Sequence, residues 1–358
     1  MSLPVFGQRN KRYVGALCRD ARPAPVSERL RARLTEALKA ARRLRAPALC
    51  VISAGLLAGG VLTFAWRGGE EARMTLGNVS VAFTPPSLCA VSCFSPKHGQ
   101  RNVTYTRRDL LLGTLLLVGP AHPLPNDFPG ANARGVRQMV GSYLNAQDGV
   151  ALREEAVYAL CDMRVSRLMN DALLKRGAVS NAGQNSLRRE AFSRYLAVGT
   201  VENALEQMNK NVPRAGESEH QTGLCVDVEL LGDLSYASAD PLKRTETGHW
   251  VSENMAAYGF VRRYMARGED GGCEGIHLRY VGKVHAQAMQ AGGWTLEEYL
   301  AALRANGCLT VRGDGYTAYV LAFEGDAGGS VSVPADAVVT VSADNAGWTI
   351  VTAVTNTP

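Results

Sequence analysis

Ser218-Glu-His-Gln-Thr-Gly-Leu-Cys-Val-Asp-Val-Glu-Leu-Leu231 is the stretch from which the organisation of this chain can be read. From Leu224 to Leu231 it has the apolar character of a strand. Strand alternation puts Leu224, Val226 and Val228 on one face and Cys225 and Asp227 on the other. The apolar face can anchor in a core while Asp227 projects into a cleft. His220 stands just before Gly223, in the loop that feeds the strand. A second segment, Cys273-Glu-Gly-Ile-His-Leu-Arg-Tyr-Val-Gly282, predicts a strand over residues 276–281, with His277 and Arg279 opposite Ile276 and Leu278. Glu274 lies three residues before His277, an offset that would turn it away on a continuous strand. Gly271, Gly272 and Gly275 permit a turn that swings its carboxylate back.

These two segments supply the parts of a hydrolytic metal site. A catalytic zinc ion takes three nitrogen or oxygen ligands and keeps one position open for water, and a carboxylate outside the ligand set takes that water's proton. His220, Asp227 and His277 can be the ligands and Glu274 the base. No other cluster in the sequence offers so complete a set of roles.

Around these segments the pattern mixes helices and strands without a βαβ repeat. A strand is predicted from Tyr105 through Leu110 to Val118. A long helix carries Leu152, Ala156, Leu160 and Met163 and ends at Gly177, after Lys175 and Arg176. Further helices are predicted over residues 187–196, 201–209 and 250–258, and a strand over 259–264. From Cys308 the chain turns Val-, Thr-, Ala- and Gly-rich, with short alternating runs at 309–312, 317–323, 330–333, 337–341 and 348–353. The expected class is α+β: a small, mainly antiparallel sheet with flanking helices, plus a small C-terminal β appendage.

The chain has 358 residues, 46% of them hydrophobic and 20% charged, enough to bury at least one full core. Its net charge of +6 is a property of the tail. Residues 1–45 hold twelve Lys/Arg against Asp20, Glu28 and Glu36, a net of +9, which leaves the rest at about −3 and argues against a nucleic-acid partner. Residues 48–66 carry no charge and as helix would span roughly 28 Å. With Arg42, Arg43 and Arg45 before it and Trp66 at its far edge, this stretch predicts one transmembrane helix, the N-terminus cytoplasmic and everything after Trp66 outside the cell membrane. Residues 27–45 read as a basic juxtamembrane helix. Six cysteines, Cys89, Cys93, Cys161, Cys225, Cys273 and Cys308, then lie outside, with no C-x-x-C pair to suggest metal binding. The expected organisation is a basic tail (1–45), a transmembrane helix (46–66), a stalk (67–108), a catalytic domain (109–305) and a β appendage (306–358).

Flanking residues bind the two segments into one pattern. Ser218-x-His220-x-x-Gly223-x-x-x-Asp227 is followed by Trp250-x-x-x-Asn254-x-x-x-Tyr258-Gly259-Phe260-x-x-Arg263-Tyr264, then by Glu274-x-x-His277-x-Arg279-Tyr280-Val281-Gly282. In order and spacing this resembles the zinc D-Ala-D-Ala carboxypeptidases of the VanY type, over about residues 110–305. The resemblance implies a zinc D,D-peptidase-like fold, a zinc cofactor held by His220, Asp227 and His277, Glu274 as base, Ser218 near the substrate, and peptidoglycan stem peptides as partners. There are two departures. Gly275-Ile276 stands where the family has Pro-Trp. The stretch Ser180-Asn-Ala-Gly-Gln-Asn-Ser-Leu-Arg-Arg189 lacks the Arg of the family's Ser-Gly-Tyr-Arg-Ser segment. Arg188, or failing that Arg189, is expected to take its place at the substrate carboxylate, unless the charge comes from elsewhere or activity is reduced. The expectation is therefore a membrane-anchored zinc D,D-carboxypeptidase that removes the terminal D-Ala of stem peptides. A zinc endopeptidase or dipeptidase on another wall bond, and a non-catalytic wall-peptide-binding homologue, are the alternatives.

Overall fold

The computed structural model of the chain describes residues 50–53, 63–67, 70–84, 99–166, 171–231, 242, 245–267 and 273–356. They fall into two compact units, and the fold is α+β with antiparallel pairing, as the sequence predicts. The basic helix expected over residues 27–45 lies outside the described residues.

One unit contains Asn132–Met255 and Val261–Arg279. Its sheet has four strands in the order Phe260–Arg267, Cys273–Tyr280, Cys225–Leu230, Ala172–Arg176. Leu224, Val226, Val228, Ile276 and Leu278 are all at most 3% exposed, and Cys225, Asp227, His277 and Arg279 on the alternate positions are buried as well, so both faces of the central pair are covered. The helix Glu154–Ser166 opens with Glu154 and Glu155, which suit the positive end of the helix, and buries Ala156, Val157, Leu160 and Met163. The single long helix expected to run to Gly177 is two elements. The helix stops at Ser166, and Ala172–Arg176 is a strand paired antiparallel with Cys225–Leu230. Leu, Lys and Arg are good helix formers by a few tenths of a kcal/mol at most, and burying Ala172 and Leu174 against a sheet edge outweighs that preference.

The other unit contains Ala256–Phe260, the described residues from Tyr280 onward, and those before Asn132. Its principal sheet has eight strands in the order Cys50–Ser53, Thr63–Arg67, Glu70–Leu76, Val79–Thr84, Cys308–Gly313, Tyr316–Glu324, Trp348–Asn356, Val338–Ala343. Residues 70–84, read from sequence as part of a stalk, form a hairpin whose second strand pairs with Cys308–Gly313, fully buried Val81 lying opposite fully buried Val311. Residues 100–106 likewise pair with Gly328–Pro334. The C-terminal strands are thus continuous with N-terminal ones. The strand expected from Tyr105 to Val118 ends at Thr106, whose side chain caps the helix Arg107–Leu111 in a reciprocal pair with Asp109. Leu110, Leu111, Leu116 and Val118 then pack with Cys308, Val333, Val351 and Ala353 in this unit's core.

The transmembrane helix expected over residues 48–66 is not seen where that stretch is described. Cys50–Ser53 and Thr63–Arg67 are antiparallel strands, and among the described residues no helix is long and apolar enough to cross a membrane. β-branched and aromatic residues, Val51 and Ile52 on one side and Thr63, Phe64 and Trp66 on the other, favour extended backbone at both ends of the stretch.

His285 is 5% exposed in the helix Lys283–Gly292, its ring nitrogens 2.8 Å from the Tyr299 hydroxyl and 3.1 Å from Thr352 Oγ1. Burial pushes its pKa down to about 4. The folded state therefore excludes a proton that the unfolded chain accepts near 6.5, so His285 leaves stability untouched above pH 6.5 and lowers it as pH falls from there to 4. The expected loss is about 3 kcal/mol by pH 4. Urea unfolding at pH 7.5 and pH 4.5 should show a smaller loss in His285→Gln than in the parent, and an equal loss in both would contradict the assignment.

Candidate metal centre

Sheet register builds the centre. In the antiparallel pairing of Cys225–Leu230 with Cys273–Tyr280, Asp227 lies directly opposite His277. On the other side Asp227 lies opposite Arg176, where the strand Ala172–Arg176 carries a register shift between Leu174 and Arg176. Three chemically active residues from three strands thus share one row. His220 arrives from a different direction, on the 3-10 turn Glu219–Thr222, which Gly223 ends at φ +72°, a left-handed conformation that favours glycine.

His220, Asp227 and His277 converge: each offers one ligand atom, and these atoms all lie within 4.8 Å of one another, with all three residues buried. His277 Nδ1 is 2.8 Å and His220 Nε2 3.3 Å from Asp227 Oδ1, and the two rings meet edge to face with centroids 4.8 Å apart. The far sides of both rings are fixed. His220 donates from Nδ1 to the Gly177 carbonyl at 2.7 Å, which leaves the Nε2 lone pair toward Asp227. His277 donates from Nε2 to Glu219 Oε2 at 3.2 Å, which leaves its Nδ1 lone pair facing a carboxylate oxygen at 2.8 Å. Two lone pairs at that distance repel unless a proton or a metal cation lies between them. The donor set therefore fits a zinc ion, with two imidazoles and one carboxylate oriented by outer partners.

Electrostatics agrees. Burial pushes the His220 ring down, toward the neutral form that a metal ligand needs, and Asp227 only partly opposes this. Burial alone would raise the Asp227 carboxyl, but the facing rings of His220 and His277 outweigh it and hold the group ionised. Burial would raise Glu219 too, yet His277, Arg263 and Arg279 bring it down to about 2. Glu219, Cys225 and His277 form a second cluster with ligand-type atoms. Its carboxylate, though, already faces Arg263 Nε at 3.1 Å and Arg279 Nη1 at 3.6 Å, and two guanidinium charges would repel a cation.

The remaining residues singled out from sequence are placed as follows. Glu274 lies on the strand Cys273–Tyr280, which starts earlier than the expected residue 276 and runs through Gly275 without the expected turn, and its side chain is outside the described residues. Ser218 is buried, and its amide donates to Gln221 Oε1 at 3.4 Å at the start of the 3-10 turn. Arg188 is not brought to the triad by any described contact. On the helix Asn181–Leu196 it donates to the Val212 carbonyl and to Asn209 Oδ1, while Arg189 donates to Ser186 Oγ. The guanidinium at the triad is that of Arg176, with Nε and Nη2 each 2.7 Å from Asp227 Oδ2. Cys161 and Cys225 are free thiols.

Sequence reasoning passed over Arg176, Gly177 and Glu219. Gly177 had a readable signal: it is followed three residues later by Ser180 and seven later by Gln184, in step with the Gly, second Ser and Gln of the family segment. A Cβ at Gly177 would lie 2.2 Å from the Ala151 carbonyl oxygen, so only glycine lets this backbone come close enough to present its own carbonyl to His220.

An antiparallel sheet carrying a His/Asp/His cluster, with each imidazole oriented from behind, offers a donor set of the kind that holds zinc. The family described as VanY: D-alanyl-D-alanine carboxypeptidase matches residues 170–283, which hold all three ligand candidates and Glu274. YodJ, a candidate carboxypeptidase of Bacillus subtilis (strain 168), is 35% identical over 155 residues, 41% of this chain and 53% of that protein. A D-alanyl-D-alanine carboxypeptidase of Enterococcus faecium is 27% identical over 258 residues, 70% of this chain and 78% of that protein. The chain thus spans about half the length of the first of these relatives. Among solved structures, the vancomycin-resistance D,D-dipeptidase VanXYg, in complex with a D-Ala-D-Ala phosphinate analog, shares the fold at TM-score 0.56 and 20% identity, over 72% of this chain and 100% of that one.

Proposed function

We propose that the chain is a zinc D,D-carboxypeptidase that removes the terminal D-Ala from peptidoglycan stem peptides, acting outside the cytoplasmic membrane where those peptides lie. The observation that carries this reading is the convergence of His220 Nε2, Asp227 Oδ1 and His277 Nδ1 in a family segment named for that activity. A zinc ion bound there would supply an acidified water and an electrophile for the scissile carbonyl. Gly177 and Glu219 hold the two imidazoles in the tautomers that leave the facing nitrogens unprotonated. Glu274 is assigned the proton of the attacking water and its return to the departing amine. Ser218 stands beside His220 at the substrate side. The substrate's free carboxylate needs a cation. Arg188, which in the structure donates to the Val212 carbonyl and Asn209 Oδ1, is the guanidinium assigned to that role, since Arg176 is paired with Asp227.

The test is release of free D-Ala by the purified chain from a stem pentapeptide, with a crosslinked muropeptide and a D-Ala-D-Ala dipeptide as the other substrates. The reading expects D-Ala from the pentapeptide, abolished by chelator and restored by zinc. Cleavage confined to the crosslinked or dipeptide substrate would replace it with an endopeptidase or dipeptidase. Binding without cleavage of any of the three would make the chain a wall-peptide-binding homologue.

A further inference from the structure

We infer that Arg176 is a positioning residue that holds Asp227 as a one-oxygen ligand and thereby keeps a coordination position of the metal open; this rests on the metal reading above. The two oxygens of Asp227 have different partners. Oδ1 faces His277 Nδ1 and His220 Nε2, on the side where the ligand atoms converge. Oδ2 receives both Nε and Nη2 of Arg176, each at 2.7 Å. An oxygen that accepts two charge-assisted hydrogen bonds has its lone pairs committed away from the metal. Were Oδ2 released, the carboxylate could rotate and chelate. Asp227 would then fill two positions, and with the two imidazoles it would complete a four-coordinate shell of the kind that closes structural zinc sites. A hydrolytic site needs the fourth position for water.

The backbone is arranged to make this contact. Leu174 lies opposite Val228 and Arg176 opposite Asp227, so two residues are spent on one strand for one on the other. That is a bulge, a feature that re-aims a side chain, and here it places the guanidinium on the Asp227 carboxylate. The next residue, Gly177, gives its carbonyl to His220. Two consecutive positions at the end of one strand therefore orient two of the three ligands, one through a side chain and one through the backbone. Lysine could supply the charge at position 176 but not the paired, coplanar N–H groups.

The experiment uses the full chain and the metals alone, with two readouts independent of turnover. Zinc affinity is measured by competition with a chromophoric chelator, and the d–d absorption of the cobalt(II)-substituted protein reports coordination number. Arg176→Gln should weaken zinc binding by about 10- to 100-fold. Its cobalt spectrum should change, as the second oxygen of Asp227 takes the position of water. Arg176→Lys should fall between the two in affinity. A folded Arg176→Gln chain with parental zinc affinity and an unchanged cobalt spectrum overturns the inference while leaving the metal reading standing. If Arg176→Gln does not fold by circular dichroism, the same two readings on Arg176→Lys decide, and parental values for both overturn it. A parent chain that takes up neither metal overturns the metal reading and the inference together.

Discussion

His277→Ala is expected to leave the chain with almost no bound zinc and no measurable release of D-Ala. His277 is fully buried, contributes one of the three converging nitrogen and oxygen atoms, and stands opposite Asp227 in the sheet. Loss of an outer partner of a metal ligand costs roughly 10- to 100-fold in affinity, so loss of the ligand itself should cost more. The substitution also removes the His277 contact with Glu219, although Arg263 and Arg279 still face that carboxylate. His277→Gln restores a side chain of comparable reach that can still hydrogen-bond Glu219. It should fold with a melting temperature close to that of the parent and remain as poor in zinc as the alanine variant. Zinc retained by a folded His277→Gln chain would remove His277 from the ligand set.

Glu274→Ala is expected to separate binding from chemistry. The residue is not among the converging ligands, so the variant should fold and hold about one zinc, while kcat for the pentapeptide falls by a factor on the order of 10² or more because the proton acceptor and donor is gone. KM should change far less than kcat. A kcat near the parental value would transfer the base role to another residue and leave Glu274 as a strand residue only.

Much of the centre was legible before any coordinates, and for a local reason. Alternation along residues 224–228 and 276–278 decides which side chains face the core, so Asp227 and His277 are forced to the other face, and the two strands need only pair for the residues to meet. The C-terminal strands were legible for the same reason, since Val338–Ala343 and Trp348–Asn356 alternate between turn signals. What escaped was set by long-range pairing. Lys175 and Arg176 read as the basic last turn of a helix, and only the partnership of Ala172–Arg176 with Cys225–Leu230 makes Arg176 a neighbour of Asp227. Glu219 has no local signal between Ser218 and His220, yet it is 3% exposed and faces Arg263 and Arg279, which arrive from distant strands to neutralise it. The hairpin of residues 70–84 has a partner more than two hundred residues away in Cys308–Gly313, a pairing that no local pattern announces. In residues 48–66, the absence of charge suggested a helix, but hydropathy carries no information about backbone conformation when β-branched and aromatic residues stand at both ends.

The central claim is that His220, Asp227 and His277 hold one catalytic zinc. The measurement that bears on it most directly is zinc per folded chain, by elemental analysis after dialysis against a weak chelator, for the parent and for a His220→Gln/His277→Gln double variant. The account predicts about one zinc in the parent and close to none in the double variant, with both chains folded by circular dichroism. Stoichiometric zinc in the folded double variant would contradict it.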